Sequence, residues 1–185
     1  MKQLKEYIEK QFKLSYDGID IPSNYIKEFK SGGTFEGSTS KEALKKIQST
    51  HGNVNVARDI ENNYNFKSLG VVEKECSQAL FESVKDLEIK KMPRISGTFY
   101  YPKGSFMGWH TNSKLEGRRN YLVWASENKQ SFFRYQDYKT KEVITLWDKQ
   151  GWNLYDFTIK QEEPYWHCVG SMCNRISIGL NYVSK

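Results

Sequence analysis

Seven short segments after Pro93 constrain the fold most, because each has the composition of a β-strand. They are rich in β-branched and aromatic residues, and turn-forming sequences such as Lys-Gly, Glu-Gly and Asp-Lys-Gln-Gly separate them. The segments are 94–101, 119–125, 131–135, 143–147, 152–159, 165–169 and 174–183. Regular short strands of this kind predict an antiparallel barrel or a double-sheet jelly roll.

The sequence before Pro93 is mainly helical in pattern, with apolar residues three or four apart on one side and charged residues opposite. The predicted elements are a helix over 1–15, a short helix over 24–30, a flexible loop over 31–38, a helix from a capping box at 39–42 to about 49, and a helix over 71–87. Residues 50–68 give no clear periodicity. We therefore expect an α+β protein in which helices brace one face of a β core. One domain should span 1–185, with a helical support over 1–92 and the β core over 93–185.

Composition narrows the functional classes. The chain has 185 residues, of which 38% are hydrophobic and 27% charged, so disorder throughout is not expected. The net charge of +6 suits an anionic partner, but the lysines are scattered. An odd number of cysteines, three, without CxxC spacing argues against a disulfide framework or a zinc knuckle. With no apolar leader and no membrane-spanning run, we expect a soluble intracellular (cytoplasmic) protein, a class that includes virus-encoded proteins acting in a host.

The chemistry is concentrated in two short motifs. His110 and Asn112 lie two residues apart, so on a strand their side chains share a face, and His167 follows in a later predicted strand. Two imidazoles and one oxygen ligand form half of an octahedral shell, the arrangement of a non-haem iron site. Arg175 and Ser177 likewise share a strand face, which suits a clamp for a carboxylate.

Taken with Tyr101 and the proline that follows it, this order of motifs resembles the Fe(II)- and 2-oxoglutarate-dependent oxygenases, in particular their prolyl-hydroxylase-like branch. The resemblance covers about residues 94–183 and implies a double-stranded β-helix. It implies that His110 and His167 bind Fe(II). It also implies that Arg175, Ser177 and Tyr101 hold the distal carboxylate of 2-oxoglutarate, and that O₂ is the oxidant.

Position 112 departs from the family pattern, which has an acidic residue there. Asn112 is a neutral and weaker oxygen ligand than a carboxylate. Three readings remain open: Asn112 is a working ligand, it stands in an engineered or deamidation-linked form of an aspartate site, or the oxygenase chemistry has been lost. Halogenation is a poor fit because asparagine is bulky. Glu116 is a candidate replacement carboxylate.

The resemblance implies an enzyme that hydroxylates a substrate side chain, most naturally of a protein or peptide, with succinate and CO₂ as co-products. Candidate substrate contacts are Arg118, Arg119, Arg134 and Trp152, since arginines and aromatic rings at a barrel rim bind peptides or nucleobases. The alternatives are a non-catalytic β-helix module that binds peptide or nucleic acid, and a cupin-like metal protein that does not use 2-oxoglutarate. No membrane partner is expected, and the sequence does not predict the oligomeric state.

Overall fold

The structure is a computed structural model. It describes residues 1–52, 64–69, 73–85, 92–111, 116–160 and 162–182. The helices are α1 (Lys2–Gln11), α2 (Phe35–Thr39), α3 (Lys41–His51) and α4 (Glu73–Val84), with a 3₁₀ turn over Ser23–Tyr25. The strands are β1 (Lys27–Lys30), β2 (Tyr64–Ser68), β3 (Pro93–Tyr101), β4 (Ser105–His110), β5 (Gly117–Ala125), β6 (Ser131–Gln136), β7 (Val143–Trp147), β8 (Gly151–Ile159), β9 (His167–Ser171) and β10 (Arg175–Tyr182).

The strands form one antiparallel sheet that folds back on itself. Its order is β7-β6-β9-β4-β2-β3-β10-β5-β8, and β1 pairs with β2 at the side. From β3 onward, the strands fall into two halves of four: β8-β5-β10-β3 and β4-β9-β6-β7. The halves face each other, since Phe133 of β6 contacts Tyr121 of β5 and Phe157 of β8. This is the strand order of a jelly roll, and it confirms the predicted α+β fold with a double-stranded β-helix core.

Each face of the folded sheet is covered. The outer face of β3, β10 and β5 packs on α1 and α4, where Ile176, Ile178 and Leu122 meet Leu4 and Ile8. The outer face of β4, β6 and β9 packs on α3. The space between the two halves, which we call the interior, holds a third cluster. Its buried residues include Phe66, Tyr101, Met107, Phe133 and Val169.

Short turns join the strands at one end of the jelly roll, which we call the turn end. These turns connect β3 to β4, β5 to β6, β7 to β8 and β9 to β10. Arg175 lies at this end, paired with Tyr101 and Ala125. Because β10 runs away from the turn end, Ser177 lies further toward the opposite end. Within the part of the chain that is described, no helix is long and apolar enough to cross a membrane.

The N-terminal part differs from the predictions in two segments. Residues 24–30 form a 3₁₀ turn and β1 rather than a helix, because Phe29 stacks on Phe66 of β2. The segment 31–38 is not a loop throughout, since α2 begins at Phe35 with Thr34 accepting a hydrogen bond from the Gly37 amide. The segment 1–92 thus contributes two strands to the sheet as well as helices.

The N-cap of helix α3 lies one residue later than the first residue of the predicted capping box. Its N-cap is Ser40, whose hydroxyl accepts a hydrogen bond from the amide of Ala43. Thr39 instead ends α2, and its hydroxyl donates to the carbonyl of Phe35. The predicted helix over 71–87 is present as α4, and its remaining predicted residues, apart from Lys85, lie outside the described ranges.

Candidate functional site

A β-bulge in β4 turns His110 into the interior. Met107 pairs with Val169, whereas His110 pairs with His167, so β4 carries one more residue than β9 between these two pairs. Strict alternation would place Met107 and His110 on opposite faces. The extra residue shifts the alternation, so that both side chains point inward. The two histidines therefore lie side by side on neighbouring strands, with ring centroids 4.1 Å apart.

Each histidine follows a tryptophan, and the tryptophans explain the local geometry. Trp109 and Trp166 are both buried against the outer face, in the cluster formed with α3. The indole of Trp109 donates a 2.7 Å hydrogen bond to the carbonyl of Ser40 at the start of α3. Each Trp-His pair thus fixes one ring outside the sheet and directs the next ring into the interior.

Both imidazoles have the same hydrogen-bond arrangement. Nδ1 of His110 lies 2.8 Å from the carbonyl oxygen of Gly108, and Nδ1 of His167 lies 2.8 Å from that of Tyr165. Since a carbonyl can only accept, Nδ1 carries the proton in each ring and Nε2 carries the lone pair. This orientation by a backbone carbonyl is typical of metal-binding histidines.

Burial keeps His167 neutral. His110 is 5% exposed and His167 is 1% exposed. Desolvation lowers the pKa of His167 to about 4, against a smaller opposing effect of its hydrogen bond to Tyr165. At neutral pH this imidazole is therefore unprotonated, as metal coordination requires.

Aromatic rings surround His167. The ring of Phe133 lies 5.5 Å from it, that of Tyr165 5.7 Å and that of Phe157 6.3 Å, measured between centroids. Tyr165 also stacks between Tyr135 and Phe157, at 5.5 and 4.8 Å. These rings come from both halves of the sheet and form an apolar wall beside the imidazole. Sequence reasoning did not place this wall, because alternation alone does not show which strands face each other.

Arg175 is completely buried and lies on the interior face of a central strand. It is 0% exposed, and its Nε donates a 2.8 Å hydrogen bond to Asp148. Its two terminal nitrogens, Nη1 and Nη2, are buried without a hydrogen-bond partner. The guanidinium carbon lies 5.3 Å from the ring centre of Tyr101. Two unsatisfied donors on a buried cation form a strong receptor for an anion such as a carboxylate.

Asp148 is the counter-ion of Arg175, and the sequence reasoning missed it. It lies in the turn between β7 and β8 and is 0% exposed. Its carboxylate accepts hydrogen bonds from the hydroxyls of Ser131 and Tyr155 as well as from Arg175. Burial works against the charge of Arg175, but Asp148 together with Tyr101 and Tyr155 more than offsets it, and the pKa of Arg175 is raised. A buried arginine requires a buried counter-ion, so an inward-facing Arg175 itself indicates that an acidic residue lies beside it.

The remaining residues predicted for the carboxylate clamp share this region. Tyr101 and Ser177 are both buried, 1% and 6% exposed. Ser177 lies two residues from Arg175 on the same face of β10 and pairs with Phe99 and Val123. The structure thus brings the residues predicted for the clamp to the turn end of the interior and the histidines toward the opposite end.

Of the four predicted substrate contacts, only Arg119 lies on the interior face. It pairs with Phe157, is 3% exposed, and burial lowers its pKa. Arg118 is on the outer face in an ion pair with Asp156. The other two also have outer-face partners: Arg134 donates to Thr145 and to the carbonyl of Thr39, and Trp152 donates to Glu9.

The third predicted metal ligand, Asn112, lies outside the described residues. Among the residues that are described, no group of three or more His, Cys, Asp or Glu side chains could hold a metal ion. The described donor set is therefore the histidine pair. Its predicted third member stays a prediction, as does the replacement role of Glu116.

Comparisons with known proteins give only distant likenesses. No family model matches the sequence, and no curated protein does. Among solved structures, a prolyl-4-hydroxylase from Pseudomonas putida is similar at 14% identity and a TM-score of 0.43, covering 77% of this chain and 83% of that chain. The viral collagen prolyl hydroxylase of Paramecium bursaria Chlorella virus-1, solved as a 2OG complex, has 12% identity and a TM-score of 0.35, covering 87% and 97%.

A third similar structure is Peruvianin-I, a cysteine peptidase from the latex of Thevetia peruviana. It has 14% identity and a TM-score of 0.35, with 49% of this chain and 50% of that chain covered. This chain thus spans half the length of that peptidase. Since all three identities are below 25% and all three TM-scores below 0.5, the likenesses identify neither a family nor an activity.

Proposed function

We propose that this protein is an Fe(II)- and 2-oxoglutarate-dependent dioxygenase that hydroxylates a side chain, most naturally of a protein or peptide. The observation that carries the proposal is the combination of two features in one interior. One is a pair of buried histidines with Nε2 as the basic nitrogen. The other is a buried arginine whose terminal nitrogens have no hydrogen-bond partner.

The histidine pair fits a divalent metal ion. The ring centroids lie 4.1 Å apart, and a backbone carbonyl holds Nδ1 of both rings, so Nε2 is the basic nitrogen of each ring. His110 and His167 would hold Fe(II), with Asn112 proposed as the third ligand. A site with two imidazoles and one oxygen ligand keeps open positions for a cosubstrate and O₂.

The clamp fits the distal carboxylate of 2-oxoglutarate. The two η nitrogens of Arg175 would each donate a hydrogen bond to a carboxylate oxygen, and Ser177 and Tyr101 would supply hydroxyls on the same face. When bound, Fe(II) and 2-oxoglutarate supply the activation of O₂, and succinate and CO₂ are the co-products. The chain itself orients the cosubstrate, and the aromatic wall beside His167 keeps water away from the reacting atoms.

The substrate is proposed to enter from the end opposite the turn end. Arg119 and the rings of Tyr121 and Phe157 lie on the interior face there, which favours an aromatic-lined site for a peptide segment. Arg118, Arg134 and Trp152 have partners on outer faces, so Arg119 is the strongest of the four candidates.

Anaerobic titration with Fe(II) and 2-oxoglutarate tests the proposal. The wild-type protein should develop the weak visible charge-transfer band of the chelated cosubstrate, and admission of air should yield succinate. The variant His167→Ala should lose the band, whereas His51→Ala should keep it, because His51 ends α3 and lies away from the interior. Absence of both the band and succinate from the wild type contradicts the enzyme proposal and favours a non-catalytic binding module.

The same titration separates a cupin-like metal protein from a 2-oxoglutarate enzyme. The variant Arg175→Ala removes the proposed clamp without touching the histidine pair. If 2-oxoglutarate is the cosubstrate, this variant should still bind metal but should need a much higher 2-oxoglutarate concentration for the band. Metal-dependent activity that persists in Arg175→Ala favours the cupin-like alternative.

A further inference from the structure

Asp148 is paired with Arg175, although the proposed function does not require a carboxylate at this position. A clamp for a carboxylate needs a cation, yet here the cation is already paired with a buried carboxylate at 2.8 Å. The side chains of Arg175 and Asp148 are both 0% exposed. Asp148 is itself held by the Ser131 hydroxyl from one half of the sheet and by the Tyr155 hydroxyl from the other. The counter-ion is therefore fixed by three donors on three strands.

This arrangement has two effects on any anion that reaches Arg175. First, Asp148 occupies Nε, so that the η nitrogens remain as the two donors without a partner. Second, its negative charge offsets the positive charge of the guanidinium in a site with little screening by water. An anion that binds by charge alone gains little from a neutralised pair. A ligand with two coplanar oxygens gains two aligned hydrogen bonds.

We propose that Asp148 is a specificity-determining, positioning residue that makes the Arg175 site select carboxylates over simple anions such as chloride. The inference rests on the proposed function, because it concerns the site assigned there to 2-oxoglutarate. Asp148 does not touch the ligand; it acts through Arg175. Without its carboxylate, the guanidinium loses an orienting partner and the site gains a net positive charge. Both changes favour chloride relative to a bidentate carboxylate.

The test is calorimetric titration of 2-oxoglutarate into the Mn(II)-loaded protein, in sodium chloride and in a bulky sulfonate salt of equal ionic strength. The readout is the ratio of the two dissociation constants. The wild type should give a ratio near one. The variant Asp148→Asn should bind 2-oxoglutarate at least about fivefold more weakly in chloride than in sulfonate, because chloride now competes for an uncompensated buried cation.

Asp156→Asn is the matched control. It removes the same charge from another arginine–aspartate pair, but Arg118 and Asp156 are 55% and 47% exposed on the outer face. Its ratio should equal that of the wild type. A ratio near one in folded Asp148→Asn overturns the inference while the proposed function stands. No binding of 2-oxoglutarate to the wild type contradicts the proposed function and, with it, this inference.

A second variant keeps the inference testable if Asp148→Asn does not fold. The double substitution Ser131→Ala and Tyr155→Phe removes two of the donors that hold Asp148 but keeps its charge. Binding of 2-oxoglutarate in sulfonate should weaken severalfold, because Arg175 is less well oriented, while the chloride ratio stays near one. Unchanged binding in sulfonate, or a raised chloride ratio, overturns the inference.

Discussion

The wild-type protein should lose about 3 kcal/mol of unfolding free energy through His167 as the pH falls from 6.5 to 4, and His167→Gln should lack this loss. In the folded protein, burial lowers the pKa of His167 from 6.5 to about 4. The unfolded chain therefore takes up a proton on this side chain below pH 6.5, whereas the folded chain does so only near pH 4. Stability that is fully present above pH 6.5 is lost as the pH falls to 4. The pKa difference, at 1.36 kcal/mol for each unit, gives the stated magnitude.

The assay is urea unfolding of the metal-free protein at a series of pH values between 7.5 and 4. The quantity compared is the change in unfolding free energy with pH, so the different stabilities of the variants at neutral pH do not matter. Ile178→Val is the control, because it disturbs the buried cluster on the outer face without removing a titratable group. This control should keep the wild-type pH dependence. A pH dependence in His167→Gln equal to that of the wild type would refute the burial argument.

The other predictions concern the clamp, the third ligand and core packing. Arg175→Met should lower the free energy of unfolding by roughly 3–5 kcal/mol, because it leaves Asp148 buried without a counter-ion. Adding Asp148→Asn should recover part of that loss in urea unfolding, and additive losses would contradict the pairing. Asn112→Asp should hold or raise Fe(II) affinity in equilibrium dialysis; a lower affinity in a folded variant would show that 112 is not a ligand position. Gly170→Ala should cost about 1–3 kcal/mol, since its Cβ would lie 2.5 Å from a phenylalanine ring, whereas Gly18→Ala, with nothing within 4 Å, should be nearly neutral.

Most strands of the β core could be predicted from the sequence because their cause is local, but β4 was not among the predicted segments. Alternation and β-branched composition identify β7 at its observed bounds and β3, β5, β6, β8 and β10 within one or two residues. Strand β1 could not be predicted in this way. Its sequence around Phe29 suits a short helix, and it becomes a strand because Phe66, far along the chain, offers an edge for pairing.

The sequence likewise predicts some features of the candidate site but not others. The two Trp-His pairs and the Arg-x-Ser spacing are local patterns, and the structure places the two histidines, the arginine and the serine on interior faces. The bulge in β4 was not predicted, because the sequence of Gly108 and Trp109 does not show an extra residue in the pairing. Asp148 was not predicted either, since an aspartate in a turn is ordinarily exposed. Only the fold shows that this turn lies over Arg175.

The most direct test of the central claim is an anaerobic crystal structure of the protein with Fe(II) and 2-oxoglutarate. The account predicts metal density bonded to Nε2 of both His110 and His167, and a carboxylate across Nη1 and Nη2 of Arg175. The same density shows whether Asn112 reaches the ion. A structure with neither metal between the imidazoles nor a carboxylate on Arg175, at saturating concentrations of both, would contradict the account.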